Sequence, residues 1–364
     1  MNDSAAVSRE MFALPSTQRA VVVKADGQVT VQDDYPVRAL EPDEFCVKTE
    51  ALAVNPSDLK LTQADFSLPS GVLGGDYAGT VIAVGSDVKG IELGDRVCGG
   101  QNPMHAKMPD MGAFKEYNVN NGRIWLKLPS WIDTEAGASM GVSVGTAGHA
   151  IIAAGLPLPD VPAEKPFTVL VWGGATSTGT IAIQLLKLAN LTPIATCSPK
   201  NFDLVESYGA AEVFDYKDPE VAGKIRTYTG NRLAYALDCV STVPTTKACY
   251  AAIGRAGGKY VALNAYPEHT ASRKLVSGDW VLAPTLSGHG STWPAPYGRP
   301  ASEELRKAGF HFYEVAQKLL DEGKLRPHPI RVLDGGLEAV AEGLELVKSG
   351  TLSAQKVVIR MHHV

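Results

Sequence analysis

The chain has 364 residues, 45% of them hydrophobic and 20% charged, with a net charge of -5 and no block of Lys and Arg. This composition fits a globular protein of about two domains with a large core, and it argues against a nucleic-acid grip. No apolar run approaches the roughly 20 residues that span a bilayer. The five cysteines, Cys46, Cys98, Cys197, Cys239 and Cys249, form no CxxC pair, so neither a disulfide framework nor a structural zinc site is expected.

In chain order, residues 1–18 read as a loose leader without the apolar region of a secretory signal, and a cytoplasmic protein is expected. Short strands are expected at 20–23, 29–32, 45–54, 77–84, 94–97 and 113–119, separated by Gly, Pro and Asp, which suggests a mostly β unit. A helical stretch begins near Thr134. The proline-rich linker at 156–162 marks a switch to βαβ. Strands are expected at 167–171, 192–196, 212–214, 235–238 and 259–263, with helices at 180–189 and 201–208. That alternation predicts a parallel sheet covered by helices. A Pro/Gly loop follows at 288–300, then a helix at 302–320. Strands at 331–333 and 356–360 rejoin the first unit. The expected class is therefore α/β. The mostly β unit comprises 1–160 and 301–364, and the dinucleotide-binding unit comprises 161–300.

The strongest chemical signal is TVLVWGGATSTG at 168–179. A strand running into a small-residue turn and a helix lets amides at the helix N-terminus bind a pyrophosphate. Only Gly173, Gly174 and Gly179 are glycines. Ala175, Thr176, Ser177 and Thr178 fill the middle, and their hydroxyls are expected to bond phosphate. After the second strand the chain offers Ser198, Lys200 and Asn201 where an NAD site places an acid. Donors and positive charge suit a 2′-phosphate, so NADPH is expected over NADH, with Tyr216 stacking on adenine. A solvated charge opening a helix is the alternative role for Lys200.

The polar run 55–60 follows a strand. Lys60 is placed to reach a phosphate or ribose, with Asp58 orienting it, although Asn-Pro-Ser-Asp is also a good turn sequence by itself. His105 and His149 are isolated, so no metal site is expected.

The motifs VNPSD at 54–58, GDYAG at 75–79 with Val84 and Gly85, GDRV at 94–97, GAF at 112–114 and Gly173-Gly174 resemble the quinone-reductase branch of the medium-chain dehydrogenase/reductase superfamily. Segment 74–79 lies where zinc-dependent members carry Gly-His-Glu, and it has neither His nor Glu. A narrower set resembles the fungal trans-acting enoyl reductases of polyketide biosynthesis: IATCSP at 194–199, NFDL at 201–204, FDY at 214–216, ALDC at 236–239, IGRAGG at 253–258 and STWPAPYGRP at 291–300.

The resemblance implies a GroES-like catalytic unit joined to a Rossmann unit. It implies zinc-independent reduction, with NADPH, of an α,β-unsaturated chain on an acyl carrier domain. The partner is a polyketide synthase, or a synthase–peptide-synthetase hybrid, whose own reductase domain is inactive. Implied cofactor contacts are Ser57, Asp58, Leu59 and Lys60; Ala175, Thr176, Ser177 and Thr178; Ser198, Lys200, Asn201 and Tyr216; Leu263 and Asn264; Leu352 and Ser353. The implied acyl pocket is Thr146, Ala147, Gly148, His149, Ala150, Ile151, Ile152 and Ala153, with Ala283, Pro284, Thr285, Leu286 and Ser287.

Candidate catalytic groups are Lys60 and Thr146. An enolate oxygen needs a donor, which Thr146, a backbone amide or the cofactor ribose would supply. No general acid stands out: the nearest aromatic after the Asn-Pro-Ser-Asp turn is Phe66, which has no proton to give, and solvent is the substitute. A free-standing quinone or enone reductase and a non-catalytic NADPH-binding protein are the alternatives. A monomer is expected, because Pro294, Pro296 and Pro300 follow the edge candidate 280–286 and proline blunts a sheet edge.

Overall fold

The computed structural model describes residues 14–66, 68–121 and 124–362. Of the expected leader, residues 1–13 lie outside them; from Thr17 the chain is already a strand, Thr17–Val23, paired with Val29–Pro36.

Two larger sheets organise the rest. The first has six parallel strands in the order Glu212–Asp215, Thr192–Cys197, Thr168–Trp172, Tyr235–Asp238, Gly258–Ala262, Val276–Trp280. The chain enters at the third position, builds outward to one edge, then returns to build the other half. This is the doubly wound Rossmann order, with its crevice beside Thr168–Trp172 and Tyr235–Asp238. The second sheet has seven strands, with Glu44–Ala53, Asp76–Val84 and Arg96–Gly100 at its centre. Lys356–Arg360 pairs antiparallel with Glu44–Ala53 and parallel with Ile330–Asp334, so the chain's end completes the sheet its beginning started.

Between the sheets lies helix Gly141–Ala154, buried on nearly every side. One apolar cluster runs from Ala51, Ala53 and Cys98 of the seven-stranded sheet, through Val144, Ala147 and Ile151, to Val169 and Ile181 of the parallel sheet. Phe312 of helix Glu303–Asp321 packs so close to Gly148 that a Cβ there would sit 2.2 Å from its ring.

Several expected boundaries shift for local reasons. The stretch from Thr134 is two helices, Thr134–Ala138 and Gly141–Ala154. The helix after the Gly/Ser/Thr turn starts at Ser177, not 180, because the Thr176 hydroxyl accepts from the Gly179 amide at 3.0 Å as its N-cap. The polar run at 55–60 winds into helix Pro56–Leu61, with Pro56 at its first position. The edge expectation at 280–286 is wrong. The edge strand is Val276–Trp280, and Ala283–Ser287 is a 3-10 turn, since Pro284 has no amide for a ladder.

All five cysteines are unpaired. Among the described residues no helix is long and apolar enough to cross a membrane.

Candidate functional site

A cleft of about 340 Å³ opens at the crevice of the parallel sheet. Its floor is the turn after strand Thr168–Trp172. Gly173 has a φ of 82°, in the left-handed region that glycine enters freely. Gly179 packs against that turn so tightly that a Cβ would lie 2.3 Å from the Gly173 carbonyl oxygen. The Thr176 hydroxyl is held inside the turn, donating to the Gly173 carbonyl at 2.8 Å while capping the helix. The Ser177 and Thr178 side chains line the cleft at the helix N-terminus, where an anion is favoured by the exposed amides and the helix dipole. Ala175 packs partly buried against the core.

Of the residues expected around the cofactor, Ser57, Lys60, Thr176, Ser177, Thr178, Leu263 and Asn264 line this one cleft. Ser198, Asn201, Tyr216 and Ser353 do not line it but lie near one another. The Tyr216 amide donates to the Cys197 carbonyl at 3.4 Å, which sets Tyr216 next to Ser198. Asn201 Nδ2 donates to Ser353 Oγ at 3.1 Å. Lys200 is exposed, as is the Tyr216 ring. Leu352 packs on the apolar cluster of the seven-stranded sheet.

Asp58 does not face the cleft, contrary to expectation. It is fully buried and caps its own helix, accepting from the Asn55 amide at 2.8 Å. Burial pushes its carboxyl up to about 7, with the nearby Asp76 charge adding to the rise. It does not contact Lys60; one of its oxygens is buried without a partner. Leu59 packs into the apolar cluster of the seven-stranded sheet.

Asp76 of the segment 74–79 is held in an ion pair. Lys356 Nζ lies 2.6 Å from Asp76 Oδ2, both side chains buried. Asn55 Nδ2 donates to the same oxygen at 2.9 Å, and the Val142 amide donates to Asp76 Oδ1. An ammonium and a helix N-terminus satisfy this carboxylate. Among the described residues no group of three or more His, Cys, Asp or Glu side chains is placed to hold a metal ion.

The expected acyl pocket divides. Val142 and Thr146 face the cleft, together with Ala283 and Pro284. A smaller cavity of about 30 Å³ shares Val142, Gln101, Ala283 and Pro284 with it and is also lined by Gly145, Leu286, Ser287 and Tyr313. Ala147, Gly148, Ala150 and Ile151 do not line it; they are core, because a helix buried on all sides turns most of its residues into packing. Ile152 and Ala153 are partly buried against the same core. His149 is buried and bonds the Leu282 backbone, and burial lowers its imidazole to about 4. The Thr285 hydroxyl donates to the Leu282 carbonyl at 2.6 Å and holds the 3-10 turn. Thr146 lines the cleft, but its hydroxyl donates back to the Val142 carbonyl at 2.6 Å.

The sequence reading missed Tyr297. The loop after the parallel sheet is tied to the mostly β unit: Asn102 Nδ2 donates to the Gly290 carbonyl at 3.0 Å, and Trp293 Nε1 donates to the Pro103 carbonyl at 2.8 Å. It carries Tyr297 into the cleft. Lys60 Nζ donates to Tyr297 Oη at 2.8 Å and to Asn264 Oδ1 at 2.7 Å, and Tyr297 Oη donates to the same Asn264 oxygen at 2.8 Å. The sequence signals were a tyrosine in a proline-rich loop and that loop's place in the segment 291–300 that carries the resemblance.

Two family models match parts of the chain. Residues 41–130 match the alcohol dehydrogenase GroES-like domain, and 177–304 match the zinc-binding dehydrogenase model. The chain is 52% identical to a protein named dehydrogenase mokE of Monascus pilosus, over 96% of this chain and 99% of that protein. It is 50% identical to the enoyl reductase component lovC of lovastatin nonaketide synthase from Aspergillus terreus, over 96% and 98%, and 48% identical to the trans-enoyl reductase buaC of Petromyces alliaceus, over 95% and 97%. The chain belongs to the trans-enoyl reductases, in the medium-chain dehydrogenase/reductase superfamily. The fold of this trans-enoyl reductase is similar to that of CurK enoyl reductase, with a TM-score of 0.73 at 16% identity over 95% of this chain and 100% of that one. It is also similar to a putative zinc-dependent alcohol dehydrogenase from Rhizobium etli, with a TM-score of 0.76 at 25% identity over 95% and 99%.

Proposed function

We propose that this protein reduces the α,β double bond of an unsaturated thioester with NADPH. In this reading the substrate is held on the acyl carrier domain of a polyketide synthase or synthase–peptide-synthetase hybrid. One observation carries the reading. The cleft sets the helix N-terminus at Ser177 and Thr178 in one space with Val142, Ala283 and Pro284, which also line a small adjoining cavity with Gln101. That is the geometry for setting a dinucleotide's reactive ring against the end of an acyl chain. The names of the relatives point to the same substrate class and partner.

The nicotinamide cofactor, when bound, supplies the hydride for the β-carbon. The chain's residues do the rest. Ser177, Thr178 and the helix amides hold the pyrophosphate. Ser198, Lys200 and Asn201 bind the 2′-phosphate, which favours NADPH over NADH. Lys60, Asn264 and Leu263 line the nicotinamide end. Val142, Ala283 and Leu286 exclude water around the reacting carbons, and proximity of the two partners is worth about 7–11 kcal/mol of the barrier. The enolate oxygen takes a hydrogen bond at the cleft wall near Thr146. The unit division at 160/161 and 300/301, action as a monomer and a cytoplasmic location complete the proposal.

The test is reconstitution. A synthase lacking reductase activity, supplied with this protein and NADPH, yields the reduced product, and Ser177→Asp fails to support it. Turnover of small quinones with no effect on the synthase reaction would instead mark a free-standing quinone reductase. Tight NADPH binding with no turnover of any acceptor would mark a non-catalytic binding protein.

A further inference from the structure

The geometry points to Tyr297 as the acid that protonates the α-carbon, with Lys60 as its positioning and charge-compensating partner. The assignment rests on the reductive reading above and supplies the proton which that reading lacks.

Three observations support it. First, Tyr297, Lys60 and Asn264 all line the cleft that also holds Ser177, Thr178, Thr146 and Ala283. The phenol therefore stands in the chamber where hydride donor and acyl chain would meet. Second, the phenol is wired on both sides. It accepts from the Lys60 ammonium at 2.8 Å and donates its own proton to Asn264 Oδ1 at 2.8 Å. The Lys60 ammonium therefore stands against the oxygen that carries charge once the proton leaves. Third, the ring is fixed while the hydroxyl stays in the cleft. The Tyr297 ring meets Trp280 edge-on at 5.4 Å, lies 5.6 Å from Phe66, and has Lys60 Nζ 4.1 Å from its centroid. Arg299 covers the outer face of Trp280 at 3.9 Å. The loop brings a rigid acid rather than a mobile side chain.

Three other hydroxyls of the cleft are tied to backbone carbonyls rather than to a side chain, Ser241 to that of Asp238 at 2.8 Å. Thr146 gives its proton to the Val142 carbonyl, and the Thr176 hydroxyl is committed to the helix cap. Asp58 is buried behind helix Pro56–Leu61.

The step balances. Hydride from the reduced nicotinamide forms the new C–H bond at the β-carbon, and the electron pair of the double bond moves into the thioester enolate. The Tyr297 O–H bond then breaks as the α C–H bond forms. The enolate collapses to the saturated thioester, the phenolate is held by the Lys60 ammonium, and solvent restores the phenol proton.

The test uses the whole protein with crotonyl-pantetheine in D2O. Tyr297→Phe keeps the ring and its packing and removes only the hydroxyl. A drop in kcat of about 10²-fold or more is expected, with KM and the NADPH dissociation constant from fluorescence titration within threefold of the original. Deuterium, placed on one face of the α-carbon by the unaltered protein, is expected on both faces in the product of Tyr297→Phe. Lys60→Met, which leaves the phenol in place, is expected to lower kcat while keeping deuterium on one face. Tyr297→Phe with single-face deuterium, whether its kcat is near normal or reduced, would overturn the assignment, as would a rate loss explained wholly by weaker NADPH binding. If the unaltered protein reduces no enoyl thioester, the reading of its activity fails, and this assignment fails with it for that separate reason.

Discussion

Replacing Lys356 with Met tests how the cleft wall is held. In the folded protein Lys356 Nζ reaches Asp76 Oδ2 at 2.6 Å, the Ser139 carbonyl at 3.2 Å and Ser143 Oγ at 3.3 Å, in surroundings that leave its side chain 4% exposed and that of Asp76 0% exposed. Met fills much of the same volume without the charge. Asp76 is then left buried beside Asp58 with only neutral donors, the Val142 amide and Asn55 Nδ2. Breaking a buried pair by removing one partner costs about 3–5 kcal/mol, and that loss is expected in urea titrations at about pH 8. Lys356 also lowers the Asp58 carboxyl, so its removal raises that group further. Asp76→Asn combined with Lys356→Met keeps an acceptor for the Val142 amide and leaves no buried charge. The double variant should recover at least half the loss, a coupling of about 2 kcal/mol. A single-variant cost below about 1 kcal/mol, or losses that simply add in the double variant, would refute the reasoning.

Asp58→Asn is expected to flatten the pH dependence of stability. The folded-state carboxyl, at about 7, holds a proton that the unfolded chain releases near 3.8. Its stabilising contribution is therefore full below about pH 4 and fades as pH rises to about 7. Urea midpoints measured from about pH 4 to pH 8 should fall less steeply in the variant than in the original. Lys200→Ala should weaken NADPH binding about tenfold, near 1.4 kcal/mol, and leave NADH binding unchanged; isothermal titration with both cofactors decides. Gly148→Ala forces a Cβ to 2.2 Å from the Phe312 ring. It should cost about 1–3 kcal/mol by overpacking despite alanine's better helix propensity, read as a lowered urea midpoint.

Five strands of the parallel sheet are legible in the sequence as short runs closed by small or polar residues; the edge strand Val276–Trp280, VSGDW, is not, because three of its five residues are exposed and it has no apolar run. The turn after Thr168–Trp172 is legible for a local reason: Gly173, Gly174 and Gly179 stand where close packing leaves no room for a Cβ. Lys60 is found as a candidate, yet its partner is not, because Tyr297 lies 237 positions away and only the loop's anchors on Asn102 and Pro103 bring it near. Asp58 is misplaced for a related reason. The motif Asn-Pro-Ser-Asp specifies both a turn and a helix cap, and only the fold decides that the carboxylate points inward. The stretch 147–153 reads as pocket through resemblance but packs as core, since no local pattern distinguishes a helix buried on all sides from one that lines a cavity.

Helix Gly141–Ala154 has a consequence for how substrate arrives. It belongs to neither sheet alone: the apolar cluster through Val144 and Ile151 is continuous from Ala51 to Val169, and the loop at Asn102 and Gly290 ties the same two halves from the other side. Halves that share a core this way have no apolar seam along which to hinge. Under the proposed reading, an acyl chain enters a cleft whose two sides already share one core.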